Sequence, residues 1–244
     1  MPGAISVGGI PYHNLLGLGN PVETPLRFDN IQMWLDASKL TGADGDTLSE
    51  WNNLIREPAS NTDLDMLSTG ANGPQLFLST QNGLNVVRFD GTTADHMQTG
   101  GTLTWVETMP WTAYVVARRT AGPTVFGRVF YTTAGELGFT DSADNFYCYA
   151  GAASFPQIAA ADNAYHVFYA EMNSDASNLA ANDTETGTTD VGTLNPDSEL
   201  FLSHNVSSPL AGDIGELIIY TDSQSSDEVD VITHYLLRKW GLST

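Results

Sequence analysis

The stretch Asp213-Ile214-Gly215-Glu216-Leu217-Ile218-Ile219-Tyr220, followed by Ser225-Ser226-Asp227-Glu228 and closing on Lys239-Trp240-Gly241-Leu242, decides the fold. Its first part is a short run rich in β-branched and aromatic residues, which reads as a strand. Its second part is one well-marked helix. Ser225 and Glu228 form a capping-box pattern, in which the serine accepts from a backbone N–H and the glutamate reaches back. Val229, Ile232, Leu236 and Trp240 then recur at intervals of three and four, which makes one apolar stripe. Arg238 and Lys239 sit at the negative end of the helix dipole, and Gly241 supplies the left-handed terminating residue. Burial of Trp240 alone is worth about 2–3 kcal/mol, so the helix is expected to be docked.

Working outward, Ile31–Leu35, Gln75–Ser79, Leu84–Phe89, Thr112–Ala117, Val125–Tyr131, Asn145–Tyr149, Tyr165–Met172 and Leu200–Ser203 are β-rich runs bounded by Gly, Pro, Asn or Asp. With Asp213–Tyr220 they make nine. That number at this spacing predicts an all-β, two-sheet antiparallel sandwich rather than alternating α/β units. Residues 174–198, rich in Ser, Thr, Asn, Asp and Gly, are expected to form a hairpin with long polar loops or an exposed rim. Cys148 lies in the apolar run Phe146–Tyr149 and reads as a buried, inert thiol.

Residues 1–27 stand apart from the domain expected over 28–244. Their glycines and prolines oppose a regular element, yet Ile5, Val7, Ile10, Tyr12, Leu15, Leu16 and Leu18 make them too apolar for a free linker. An irregular arm of this kind is expected to anchor on another surface, either on this chain or on a partner. The N-terminus lacks the basic start and unbroken apolar stretch of a signal peptide, so synthesis in the cytoplasm is expected. No window is apolar enough for membrane insertion.

The net charge is -20 across 244 residues, with 9 Lys plus Arg against 29 Asp plus Glu. Such a surface repels phosphate and argues against nucleic acid as a partner.

Trp34-Leu35-Asp36-Ala37-Ser38, then Asp44-Gly45-Asp46 and Trp51, resemble the opening of concanavalin A-like (LamG-type) domains. Asn82-Gly83-Leu84 through Val87-Arg88-Phe89-Asp90-Gly91 is similar to an internal segment of the same family. The closing stretch, Gly212 to Tyr220 and Tyr235-Leu236 to Leu242, is the most specific match. The resemblance implies a jelly roll of two antiparallel sheets with one C-terminal helix. Within it Trp34 and Trp51 are expected to fill the core, and Asp36, Asp90 and Gly91 to form turns. Glu216 is expected to be a buried carboxylate paired with a basic residue such as Arg88.

Catalysis finds no support. The acid triad used by glucanases of this fold is missing, since Glu228 and Asp230 lie on the helix without a third acid. There is no nucleophile elbow, and the histidines at 13, 96, 166, 204 and 234 are isolated. No cofactor is expected. Calcium is the one metal to weigh, on the rim carboxylates Asp44, Asp46, Asp141 and Asp144, and turn chemistry competes for all four. Sugar binding needs an exposed aromatic; Trp105 and Trp111 are the candidates, with Phe155 and Tyr165 behind them.

A lectin-like sandwich without a leader and with an apolar arm resembles a bacteriophage structural protein. The function expected is a non-enzymatic virion component of the capsid decoration or cement type, displayed on the particle surface. Its partners would be major capsid or tail proteins and further copies of itself. The alternative is a carbohydrate-binding lectin module or a tail receptor-binding component, with a surface glycan as ligand.

Overall fold

A computed structural model describes residues 24–55, 64–68, 73–100, 109–120, 126–132, 135–140, 144–152, 154–193, 199–203 and 207–243, with the backbone of 6–7 and 10–11. Within the arm, β1 (Ser6–Val7) and β2 (Ile10–Pro11) pair as a minute antiparallel ladder, a regularity the glycines and prolines did not predict. The side chains of Ile5, Val7, Ile10, Tyr12, Leu15, Leu16 and Leu18 lie outside the described residues. The end of the arm does dock on its own chain: Pro25 is buried, and its carbonyl accepts from Tyr220 Oη at 2.8 Å.

The remaining strands are β3 (Ile31–Asp36), β4 (Glu50–Trp51), β5 (Met66–Ser68), β6 (Gln75–Gln81), β7 (Leu84–Asp90), β8 (Met97–Thr99), β9 (Trp111–Arg119) and β10 (Gly127–Thr132). They continue with β11 (Gly135–Phe139), β12 (Asn145–Tyr149), β13 (Gln157–Ala159), β14 (His166–Met172), β15 (Asn178–Ala181), β16 (Thr184–Glu185), β17 (Phe201–Leu202) and β18 (Ala211–Tyr220). Two eight-stranded antiparallel sheets result. The first runs β13-β12-β11-β10-β17-β8-β5-β4. The second runs β16-β15-β14-β9-β18-β7-β6, with β3 added against β18. The fold is thus the expected all-β sandwich with one C-terminal helix, α1 (Ser226–Trp240). The polar stretch after residue 174 supplies the β15–β16 hairpin.

Between the sheets, alternate residues meet in an apolar layer. Phe146 of the first sheet stacks on Phe168 of the second at 3.7 Å between ring centroids. Trp51, Met33, Phe89, Phe130 and Phe139 fill the same layer. Cys148 lies there too, where burial pushes its thiol pKa up and leaves it inert, as its apolar context suggested.

The second sheet is also covered on its outward side. Ile232, Leu236, Leu237 and Trp240 of α1 pack on Tyr114, Val116, Tyr169, Ile218 and Tyr220. Strands β9 and β18 are therefore buried on both faces, which is why they read as near-continuous apolar runs. Both helix caps form as the sequence demands: Ser225 N donates to Glu228 Oε2 at 2.8 Å, and Gly241 sits at φ 64°. The β6–β7 turn, with Asn82 and Gly83 at φ 51° and 74°, supports the far end of the helix. Gln81 Nε2 donates to the Trp240 carbonyl at 2.8 Å and Asn82 Nδ2 to that of Lys239 at 2.9 Å.

Strand β18 carries a register shift at Gly215, where its neighbour changes from β7 to β3. The shift resets the alternation, so Asp213 and Glu216 both face the helix side although they lie three residues apart. Regular alternation would have driven Glu216 into the apolar layer. A Cβ at Gly215 would lie 2.6 Å from the Trp240 ring, so only glycine fits there.

Candidate functional site

Two buried ionic clusters follow from that bulge. Glu216 accepts from Trp34 Nε1 at 2.7 Å, Trp240 Nε1 at 2.8 Å and Tyr235 Oη at 3.0 Å. Lys239 Nζ lies 2.7 Å from both Glu216 and Asp36. Burial pushes the Glu216 carboxyl up against the opposing pull of Lys239. The expected pairing of Glu216 with Arg88 is therefore corrected. Arg88, with Arg118 and the Tyr165 hydroxyl, instead surrounds Asp213 at 2.5–3.0 Å. Opposite charge indicates that a buried acid has a basic partner but not which one; the bulge and the helix settle it. The Glu216 cluster fastens helix to sheet through Tyr235, Lys239 and Trp240, whereas the Asp213 cluster ties β7, β9 and β18 to one another.

The other predicted positions fall as follows. Trp111 is buried to 1% between the sheets, 5.6 Å from Phe130, so it has no face to offer a sugar. Its apolar neighbours in β9, rather than the looser residues before it, set its fate. Trp105 lies outside the described residues, as does Asp141. Tyr165 is taken up by Asp213. Asp46 Oδ2 accepts from Ala43 N at 2.6 Å, which is turn chemistry, whereas Asp44 Oδ1 accepts from Leu78 N at 2.9 Å and ties its loop to β6. Asp144 pairs with Arg119 at 3.4 Å. Among the described residues, no three His, Cys, Asp or Glu side chains converge as a metal site.

The outward face of the first sheet is built differently: among the described residues, no helix lies over it. Cross-strand partners place Glu50, Leu67, Gln98, Phe201, Tyr131, Glu136 and Tyr149 in one row across seven strands. Successive positions in such a row are ~4.8 Å apart. A second row sets Arg128 and Tyr147 on either side of Gly138. Their inward neighbours Phe130, Leu137 and Cys148 belong to the core.

This face is part aromatic and part polar. Arg128 Nε forms an ion pair with Glu136 Oε2, and Tyr147 Oη donates to Glu136 Oε1 at 2.8 Å. The Arg128 guanidinium lies 5.0 Å over the Tyr131 ring and also donates to Ser207 Oγ at 3.0 Å. Phe155 packs against Tyr147 and Tyr149 at 5.1 and 5.7 Å, and Phe126 meets Tyr147 edge-on at 5.4 Å. Phe126, Tyr131, Tyr149 and Phe155 remain partly exposed, and Leu67 is exposed. Of these aromatics, Phe155 alone was singled out in the sequence; the rest could be found only by knowing strand parity.

At its far edge the row leads into a cleft of about 490 Å³, lined among others by Asp36, Lys39, Asp46, Glu50, Asn52 and Leu76. Glu50 belongs to both row and cleft.

No family model and no curated protein matches this chain. Solved structures do resemble it in fold. A Trypanosoma rangeli sialidase solved with sialic acid matches at TM-score 0.61 and 11% identity, over 89% of this chain and 34% of that one. A botulinum neurotoxin serotype D binding domain matches at 0.59 and 9%, over 88% and 55%. The serotype D ligand binding domain in complex with N-acetylneuraminic acid matches at 0.57 and 8%, over 84% and 51%. The chain thus spans about a third of the sialidase chain and about half of the toxin domains. At these identities the likeness establishes the lectin-like sandwich fold alone.

Proposed function

We propose that this domain is a glycan-binding module whose ligand lies across the outward face of the first sheet. The observation that carries this reading is the row of partly exposed Tyr131, Glu136 and Tyr149, continued inward by the buried Phe201. Aromatic faces take the apolar side of a pyranose, and a fixed carboxylate–guanidinium pair orients its hydroxyls. Two of the structural neighbours were solved with sialic acid or N-acetylneuraminic acid, which lends the class of ligand some support. In this reading the module is a binder rather than a catalyst, in keeping with Glu136 being held by Arg128 and Asp36 and Glu216 sharing one ammonium under the helix.

The test is calorimetric titration with a panel of oligosaccharides, using Tyr149→Ala and Tyr131→Ala as controls. Each variant should weaken binding about tenfold or more, which is ~1.4 kcal/mol, while the melting temperature hardly moves. Unaltered affinity in both variants removes the ligand from this face.

A second reading rests on the apolar arm. The module would be displayed on a virus particle as a decoration or tail component, with residues 1–23 docking on capsid or tail proteins and on further copies of this chain. Because Pro25 packs on Tyr220, the truncation that probes this starts after residue 23. The truncated chain should keep its fold and fail to co-sediment with particles. Normal incorporation sinks the anchoring role.

A further inference from the structure

We infer that the ligand of this face is an uncharged glycan rather than an acidic one, an inference that rests on the glycan-binding reading above. Among the described residues, the strands of the first sheet carry one Lys or Arg side chain, Arg128. That cation is already engaged. Its Nε holds Glu136, one terminal nitrogen holds the Ser207 hydroxyl and carbonyl, and the guanidinium plane rests on Tyr131.

Glu136 is fixed in turn by the Tyr147 hydroxyl on its second oxygen. A sugar carboxylate or sulfate placed on the remaining terminal nitrogen of Arg128 would share a cation that Glu136 already neutralises, and would sit beside that carboxylate, which is 13% exposed. The row also carries Glu50 at its edge, so its strands bear two acids against one base. The whole chain adds a field of -20, which repels anions over a Debye length.

What the face offers instead suits hydroxyl-rich, uncharged sugar. Tyr131, Tyr149 and Phe155 supply rings, Gln98 and Gln157 supply neutral amides, and the Arg128–Glu136 pair both donates and accepts. From Phe201 to Tyr149 the row spans three strand spacings, roughly 14 Å, enough for a short oligosaccharide. Ligand charge is therefore where this chain should part from the complexes with sialic acid.

The test titrates the full chain with neutral oligosaccharides and with the same cores bearing a terminal sialic acid. It does so at low and at high salt, for the wild type and for Glu136→Gln. The sialylated form should bind the wild type about tenfold more weakly than its neutral parent at low salt. High salt should narrow that gap. Glu136→Gln frees Arg128 and should cut the preference to about threefold or less. Neutral-sugar affinity should itself be nearly independent of salt, a readout that does not depend on the variant folding. Tighter binding of the sialylated form, weakening with salt, overturns the inference while leaving glycan binding intact. Binding of neither form overturns both.

Discussion

On the outward side of the second sheet, Tyr114, Tyr169 and Tyr220 lie under a helix, packed with Trp240 and Leu236. On the outward side of the first, Tyr131, Tyr149, Phe126 and Phe155 lie around an ion pair, with no helix above them among the described residues. Both faces combine tyrosine with buried or half-buried carboxylates. They differ in what completes them. The first-mentioned face is finished by the chain itself: Asp36 and Glu216 share Lys239, and glycine at 215 makes room for the closing tryptophan. The other keeps aromatic surface partly open around one ion pair, Arg128–Glu136, and that open surface is what the proposed neutral ligand would use.

The sharpest way to break this comparison is to unfasten the closed face. Lys239→Met leaves Asp36 and Glu216 buried without their cation and should cost about 3–5 kcal/mol by chemical denaturation. The loss should be larger at pH 8 than at pH 4, because burial already pushes the Glu216 carboxyl up and its protonation relieves the unpaired charge. Equal stability to the wild type at pH 8 would show that the cluster is not what holds the helix. Gly215→Ala forces a Cβ against the Trp240 ring and should cost about 1–3 kcal/mol, with no change in glycan affinity.

A smaller, pH-dependent effect comes from the loop joining the two sheets. Asp95 is buried, and desolvation first, then the nearby Asp90, push its carboxyl up to about 7. Its folded form thus prefers to be protonated. The stabilising contribution is complete below the ordinary carboxylate range and is lost as pH rises toward 7. Asp95→Asn should gain on the wild type over that interval by at most about 1.4 kcal/mol per pH unit. Parallel stability profiles of the two proteins would contradict this.

The smallest effect tests how finished the closed face is. The Tyr114 hydroxyl is buried without a hydrogen-bond partner among the described residues, so Tyr114→Phe should be neutral or stabilise by up to about 1 kcal/mol. A clear loss of stability would reveal a bond to that hydroxyl.

Much of the closed face was legible in the sequence. The capping box, the stripe through Trp240, the terminating Gly241 and the long apolar β18 each announce themselves by local rules. The partner of Glu216 was not legible, because a one-residue bulge at Gly215 changes which face the acid meets. The open face was nearly invisible for a related reason. Several of its strands, such as β4, β5, β8 and β17, are only two or three residues long, and β11 reads as a glycine-rich turn. Its central pair, Arg128 and Glu136, meets only because a hairpin with its own register shift folds eight residues back on themselves. Trp111 misled because the residues before it look loose, whereas β9 is central in the second sheet.

The most direct test of the account is to map, by backbone and tyrosine side-chain chemical shifts, where a bound neutral oligosaccharide touches the protein. The account predicts perturbations concentrated on Tyr131, Glu136 and Tyr149, with α1 silent. Perturbations confined to α1, or to the cleft around Lys39 and Asn52, would contradict it.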